Sequence, residues 1–406
     1  MSRGLGDVYK RQAKGADGLT ALNLVMPLYS IIFSIGEMIG VGSAIRYAIS
    51  KIKKDADADD YFWNALIWCI LSSMLFVFAG IFFSADIMRV LGADEHIVAV
   101  GNNYTKIFMC FAPMFMCNYV TNAFVRNDGA PGIAMSATLF SSLFNIVFDY
   151  ILMFPMNLGM EGAALATALS PIIGMGICSI HFFSKKSSVR LVVCKPSVRK
   201  LVAGCQLGVS AFVGEMSSAV ITLAFNFVIL KLAGNVGVAA YGVVANIAIV
   251  TTAVFNGVAQ GSQPLISSCF GRGDKDGCTQ LKRMGYTTAF VLAAVMYSIL
   301  FIFAGQFVAV FNSEGSEMLR LYATEGVKLY FIGIFFAGIN IVGGGAFSAT
   351  EDAFKAAVVS VARGFVLILG AVFVMSALFG MTGVWLAYAV AEGITTFIML
   401  VMVLRV

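Results

Sequence analysis

Charge is scarce in this 406-residue chain: 27 Lys and Arg and 22 Asp and Glu make 12% of it, and 59% is hydrophobic. A soluble domain carries about a quarter charged residues, so a body with a mean hydropathy of +0.89 must turn most of its surface to lipid. Histidine is nearly absent; His96 and His181 lie in or beside loops with nothing near them that reads as a metal site. The eight cysteines show no CxxC spacing and mostly lie inside apolar runs, which makes them inert helix fillers rather than disulfide or metal partners. The reading of the chain as a membrane enzyme finds no support: no metal-ligand spacing, Ser-His-Asp set or acyltransferase-like pattern is present. The net charge of +5 is not a nucleic-acid footprint, because the basic residues fall in short loops between apolar runs.

What is present is a series of apolar runs, each near the roughly 20 residues that cross a bilayer. Eleven spans are expected, at 19–49, 61–84, 98–124, 131–154, 160–184, 201–232, 237–268, 284–311, 322–348, 354–378 and 381–404. The fold class is therefore an all-α polytopic membrane protein. The loop after the fifth span holds Lys185, Lys186, Arg190, Lys195, Arg199 and Lys200 without an acid, which predicts a cytoplasmic side. Alternation then places Lys51–Lys54, Arg126, Arg272–Arg283 and the C-terminus inside, and the loops of Asp86, Asp94, Glu95, Glu314 and Glu317 outside. On that count Arg272, Gly273 and Asp274 form an adhesion-like string by chance.

Two stretches, "GVGSAIRYAISKIKKD" from Gly40 and "GVAQGSQPLISSCFGRGD" from Gly257, look like copies. A shift of 219 residues pairs Gly15 with Gly234, Gly18 with Gly237, Gly42 with Gly261, Ser43 with Ser262, Asp55 with Asp274 and Asp57 with Asp276. Near 222, Lys106 meets Lys328 and Asn118 meets Asn340; at 221, "GMEGAALATA" (159–168) meets "GMTGVWLAYA" (380–389) with six identities in ten. The chain is two homologous halves, and equivalent loops share a side, so the repeats are parallel with a site expected between them. Shifting 201–232 back would start its partner before residue 1. Residues 1–14, "MSRGLGDVYKRQAK", are polar and too short to span, and are expected as a non-native or disordered leader. The expected division is 1–14 leader, 15–190 first lobe with five of six helices, and 191–406 second lobe with six.

Residues 123–167, "AFVRNDGAPGIAMSATLFSSLFNIVFDYILMFPMNLGMEGAALAT", and 214–271, with the polar and Gly-rich run ending "GVAQGSQPLISSCFG", resemble the multidrug and toxic compound extrusion (MATE) family. The resemblance covers about 15–404. It implies a twelve-helix plan in two lobes, here with the first helix missing, and export of organic cations driven by inward H⁺ or Na⁺, without any other cofactor. The wider group that contains the family also includes lipid-linked oligosaccharide flippases.

Acids inside spans are costly and mark function by default. Asp149 lies one helical turn after Asn145, so the two share a face, and Asn122 and Thr167 lie on adjoining helices. The resemblance implies that these four form the ion-coupling site of the amino-terminal lobe, with Asp149 and Asn145 as Na⁺ ligands. Oxygen donors suit a hard cation, and a buried carboxylate with a raised pKa equally suits a proton carrier. The alternative is an Asp149 that caps or snorkels near a helix end. Glu215 matches an acid that family branches use in the second lobe; its other reading is a buried acid paired with Asn226 or Gln263. Asp352 reads as a solvated loop charge. Glu37, among Gly36, Gly40 and Gly42, either lines the cavity or pairs with a neighbour, and close helix approach is expected there. Glu392 reads as structural. Lys328 has Glu325 at i−3 for a helix pair.

The amides of Gln260 and Gln263 are expensive against lipid and should face a cavity or another helix, and Pro264 permits either a working bend or a static kink. The substrate and cavity set is thus Glu215, Gln260, Gln263, Glu37 and Asn226. The leading reading is a monomeric antiporter in the inner (plasma) membrane that exports small amphipathic cations. The alternative is a lipid-intermediate flippase, which needs a basic cavity that the mainly acidic in-span charges do not supply.

Overall fold

Helices follow one another along the whole described chain. The computed structural model describes residues 2–312 and 316–404, with only the backbone of 2–20 and 23; Glu314, expected in an outer loop, lies outside them. The order is α1 (Ser2–Lys53), α2 (Asp60–Val90), α3 (Glu95–Cys110), α4 (Ala112–Asn127), α5 (Pro131–Met153), α6 (Gly159–Phe182) and α7 (Val198–Gly271). Then come α8 (Lys275–Ile302), α9 (Ala304–Phe311), α10 (Glu317–Tyr330), a 3-10 turn (Phe331–Gly333), α11 (Ile334–Ala349), α12 (Ala353–Val361), a π turn (Ala362–Val366) and α13 (Leu367–Leu404). Among the described residues there is no strand. The backbone of residues expected in a disordered leader is helical from Ser2 onward.

Among the described residues, eight helices are long and apolar enough to cross a membrane, or nine if α3 and α4, bent by 45° at Phe111, count as one span. Pro113 stands at the start of α4, where its missing N–H costs no helical hydrogen bond. The count of uninterrupted helices falls below the eleven expected spans because α7 and α13 each run through a turn. The breaks fall at Gly234 (φ 60°, ψ −156°) and Gly380 (φ 59°, ψ −134°), between the spans read as 201–232 and 237–268, and as 354–378 and 381–404. That backbone region is open almost only to glycine. The break in α7 is at Gly234, and Pro264 lies within the helical run that follows it.

The chain divides into two compact units, Met1–Phe212 and Val213–Val406. The start of α7, beyond the basic loop at 190/191, packs with the first unit. There α1 and α7 meet backbone to backbone: a Cβ on Gly42 would strike the Gly204 carbonyl, and one on Gly208 the Met38 carbonyl. Gly36 and Gly40 likewise face Met116 and Tyr119 of α4 at 2.9 Å from an added Cβ, the close approach that the glycine spacing predicts. In the second unit the core is aromatic, with Phe225, Tyr241, Phe331 and Trp385 at 2% exposure or less. Both units turn large apolar side chains outward, among them Leu75, Phe82, Leu139, Leu223, Ile249 and Phe397. An outward apolar coat over an internally bonded backbone is the arrangement that lipid requires.

Candidate functional site: a polar pocket in the first unit

A cavity of about 250 Å³ opens within the first unit. One wall is polar, from Asn118 of α4, Thr138, Ser141, Ser142 and Asn145 of α5, and Thr167 and Ser170 of α6; the other is aromatic, from Tyr29, Phe33, Tyr104, Phe115 and Tyr119. Helical periodicity explains the polar wall: 138, 141, 142 and 145 fall on one face of α5. Asn145 donates through Nδ2 to Thr167 Oγ1 at 3.3 Å, and Ser141 donates to the Ser170 carbonyl at 2.6 Å. On the aromatic side Tyr29 stacks on Phe108 with ring centroids 3.6 Å apart. None of the lining residues is charged. The volume is small for a drug-sized ligand, whose pockets run to about 300–1,000 Å³, and is right for a small cation with water or for one end of a longer molecule.

Asp149 lies one turn beyond Asn145 on α5 and is fully buried, at 0% exposure. The structure thus brings Asn145 and Thr167 together with Asp149 next along the face. It does not bring Asn122 to them: Asn122 Nδ2 donates to Thr138 Oγ1 at 3.0 Å and to the Ala134 carbonyl at 3.1 Å. Asn118, one turn earlier on α4, lines the pocket instead. Glu37 of α1 interacts electrostatically with Arg126, so the pairing reading of that acid has a partner.

In the second unit Glu215, Asn226 and Gln260 are half-buried on α7 and Gln263 is buried. Gln263 Nε2 lies 3.8 Å from where a Cβ on Gly345 would stand, which puts it against α11. Asp352, its side chain 33% exposed, caps α12, accepting from the Lys355 backbone N–H at 3.3 Å, and pairs with Lys355 Nζ at 2.9 Å. Glu325 accepts from Thr382 Oγ1 at 2.7 Å rather than serving Lys328, whose ammonium lies 5.2 Å from the Phe301 ring centre.

Two clusters escape the sequence reading. Asp128, in the turn after α4, accepts from His181 Nε2 (2.8 Å), the Ser188 backbone N–H (2.9 Å), the Ser187 hydroxyl (3.1 Å), the Tyr47 hydroxyl (3.1 Å) and the Ser188 hydroxyl. Burial opposes its charge, but these hydrogen bonds outweigh burial and hold its carboxyl below the usual carboxylate range. The second cluster centres on Glu392, 2% exposed. Arg363 Nε and Nη2 donate to Glu392 Oε1 at 3.0 and 2.6 Å, and Asn340 Nδ2 donates to Oε2 at 2.7 Å. Thr396 Oγ1 in turn donates to Asn340 Oδ1 at 3.0 Å, and the rings of Tyr330 and Tyr388 stack at 4.4 Å beside the pair. An arginine inside one apolar span and a glutamate inside the next was the available signal.

Long apolar helices and an outward apolar coat define a multi-pass helical membrane protein with an internal polar pocket. The family model described as MatE matches residues 9–151 and 211–374, and the chain belongs to that family. The multidrug export protein MepA of Staphylococcus aureus is 28% identical over 388 residues, 93% of this chain and 83% of that protein. MepA of Staphylococcus saprophyticus is 26% identical over 383 residues with the same coverages. Among solved structures, an outward-facing multidrug resistance MATE family transporter of the MOP superfamily superposes with a TM-score of 0.92 at 19% identity, over 100% of this chain and 91% of that one. A MOP superfamily transporter from Pyrococcus furiosus gives 0.90 at 18% identity, over 99% and 90%. These two likenesses establish the fold.

Proposed function

We propose that the chain is a secondary active antiporter that exports organic cations in exchange for inward H⁺ or Na⁺, with the coupling ion loaded in the first unit. The observation that carries this reading is the placement of Asp149: fully buried, one turn from an Asn145–Thr167 hydrogen bond on the wall of a polar pocket. A carboxylate in that setting changes its charge only when a proton or a cation joins it. Ion bound at Asp149 favours one arrangement of the helices and substrate the other; that difference in affinity is the coupling. The multidrug export named for the Staphylococcus relatives supports a broad organic-cation substrate range. Glu215, half-buried in the same unit as Gln260, is the candidate for attracting a cationic substrate. The chain works as a monomer in the plasma membrane, with the basic loops and the C-terminus in the cytoplasm. A lipid-intermediate flippase is disfavoured, because no basic side chain lines the pocket and Arg363 is committed to Glu392.

The test is efflux of a fluorescent cation from proteoliposomes holding the protein under separate H⁺ and Na⁺ gradients. One gradient drives efflux by the unaltered protein, and Asp149→Asn abolishes it while leaving the amount of folded protein unchanged. Undiminished gradient-driven efflux by Asp149→Asn overturns the assignment. Glu215→Gln keeps shape and loses charge; unchanged substrate affinity in that variant makes Glu215 structural.

A further inference from the structure

The internal repeat carries the pocket of the first unit onto the Glu392 cluster of the second. At shifts of 221 to 222 residues Asn118 falls on Asn340, Ser141 or Ser142 on Arg363, Thr167 on Tyr388, and Pro171 on Glu392. Every one of these first-unit residues lines the 250 Å³ pocket. Their second-unit counterparts form the packed group in which Arg363 donates to Glu392 and Asn340 shares the same carboxylate. So the same step of the repeat is open and uncharged in one unit and filled by a charge pair in the other. The filling has a local cause in the chain: the π turn Ala362–Val366 interrupts the α-helical register around Arg363, a device that re-aims side chains and recurs at functional positions.

The acceptors around the guanidinium are what a cation wants. Asn340 Nδ2 donates to Glu392 and Thr396 Oγ1 donates to Asn340 Oδ1, which together orient a carboxylate, 3% exposed as a side chain, that supplies two oxygens. Hard cations take oxygen donors of this kind. A carboxylate so buried is tolerated only when paired, and here the pairing charge is covalently attached to the chain.

We propose that Arg363 is a built-in cation occupying the second unit's copy of the pocket, so that this unit carries a latent monovalent-cation site that the guanidinium keeps closed. Arg363 is thereby a specificity-determining residue: it confines ion loading to the first unit. The inference builds on the reading of the chain as a cation-coupled transporter, but its test scores binding and needs no transport.

The experiment measures radiolabelled sodium bound by the purified full chain in detergent. Arg363→Gln leaves the oxygen donors and removes the resident charge; it binds about one sodium equivalent per chain more than the unaltered protein. Arg363→Gln with Glu392→Gln returns to the starting level, and Arg363→Lys, which keeps the charge, never leaves it. Glu392→Gln alone leaves sodium binding unchanged, because the site is closed in the unaltered protein. A folded Arg363→Gln protein without added sodium overturns the proposal. Loss of bound sodium in folded Glu392→Gln overturns it as well, and that arm stands even where Arg363→Gln does not fold.

Discussion

Asn118 and Asn340 occupy the same step of the repeat, yet they meet different surroundings. Asn118 faces a cavity with hydroxyls and aromatic rings; Asn340 is 1% exposed and bonded to a glutamate that an arginine also holds. Elsewhere the two units keep the same joint. In the first, Asn103 Nδ2 donates to Glu161 at 2.7 Å; in the second, Thr382 donates to Glu325 at 2.7 Å. At the repeat shift Asn103 falls on Glu325 and Glu161 on Thr382, so donor and acceptor have changed places while the bond between the helices remains. Duplication has preserved the scaffold contacts and let the interior chemistry diverge.

The sharpest way to break this contrast is Asp149→Asn. Its counterpart at a shift of 221 is Gly370, which has no side chain at all, so if function is confined to the first unit, gradient-driven efflux falls to the level of empty vesicles. Next comes the charge pair. Arg363→Met strands a buried carboxylate and costs about 3–5 kcal/mol of stability, most of it regained in the double variant Arg363→Met, Glu392→Leu. Unfolding in detergent reads both, and a double variant as weak as the single one breaks the account. Asp128→Ala removes a shared acceptor from His181, Tyr47 and two serines and costs about 1–3 kcal/mol, read in the same assay. Because its carboxyl titrates below the usual range, the stability it contributes is fully present above the ordinary carboxylate pKa. It is lost only as pH falls through the lowered value. The smallest effect belongs to the shared joint: Glu161→Gln and Glu325→Gln each cost about 0.5–1.5 kcal/mol, and alike. A large difference between them would mean that the joint is not equivalent.

Much of this was legible in the chain because it depends on local rules. Apolar run length marks the spans, and the glycines at 234 and 380 mark turns inside what are otherwise unbroken helical stretches. The α5 face of Asn145 and Asp149 follows from a period of 3.6. Asn122 enters the coupling set through the family resemblance; Asn118, a turn earlier on the same face of α4, is the one that lines the pocket, which depends on how α4 packs on α5. Arg363 and Glu392 are 29 residues apart, on helices whose facing sides no periodicity fixes. The Asp128 cluster draws on residues from 47 to 188, a closure visible only once the helices are assembled.

The segment from Ser184 to Ser197 is rich in lysine and arginine and has the composition of a loose tether that trypsin would sever. Its bonds say otherwise. Asp128 holds Ser187 and Ser188, Asp59 accepts from the Arg190 backbone N–H at 3.3 Å, and Asn64 accepts from that of Ser197 at 2.7 Å. Cleavage needs a stretch of backbone to leave these partners and enter the protease, so susceptibility tracks local opening rather than exposure. Lys185, Lys186 and Arg190 are exposed and are nonetheless expected to be cut slowly in the folded protein, and rapidly once Asp128 is replaced. The segment behaves as a clasp closed on its own half of the chain.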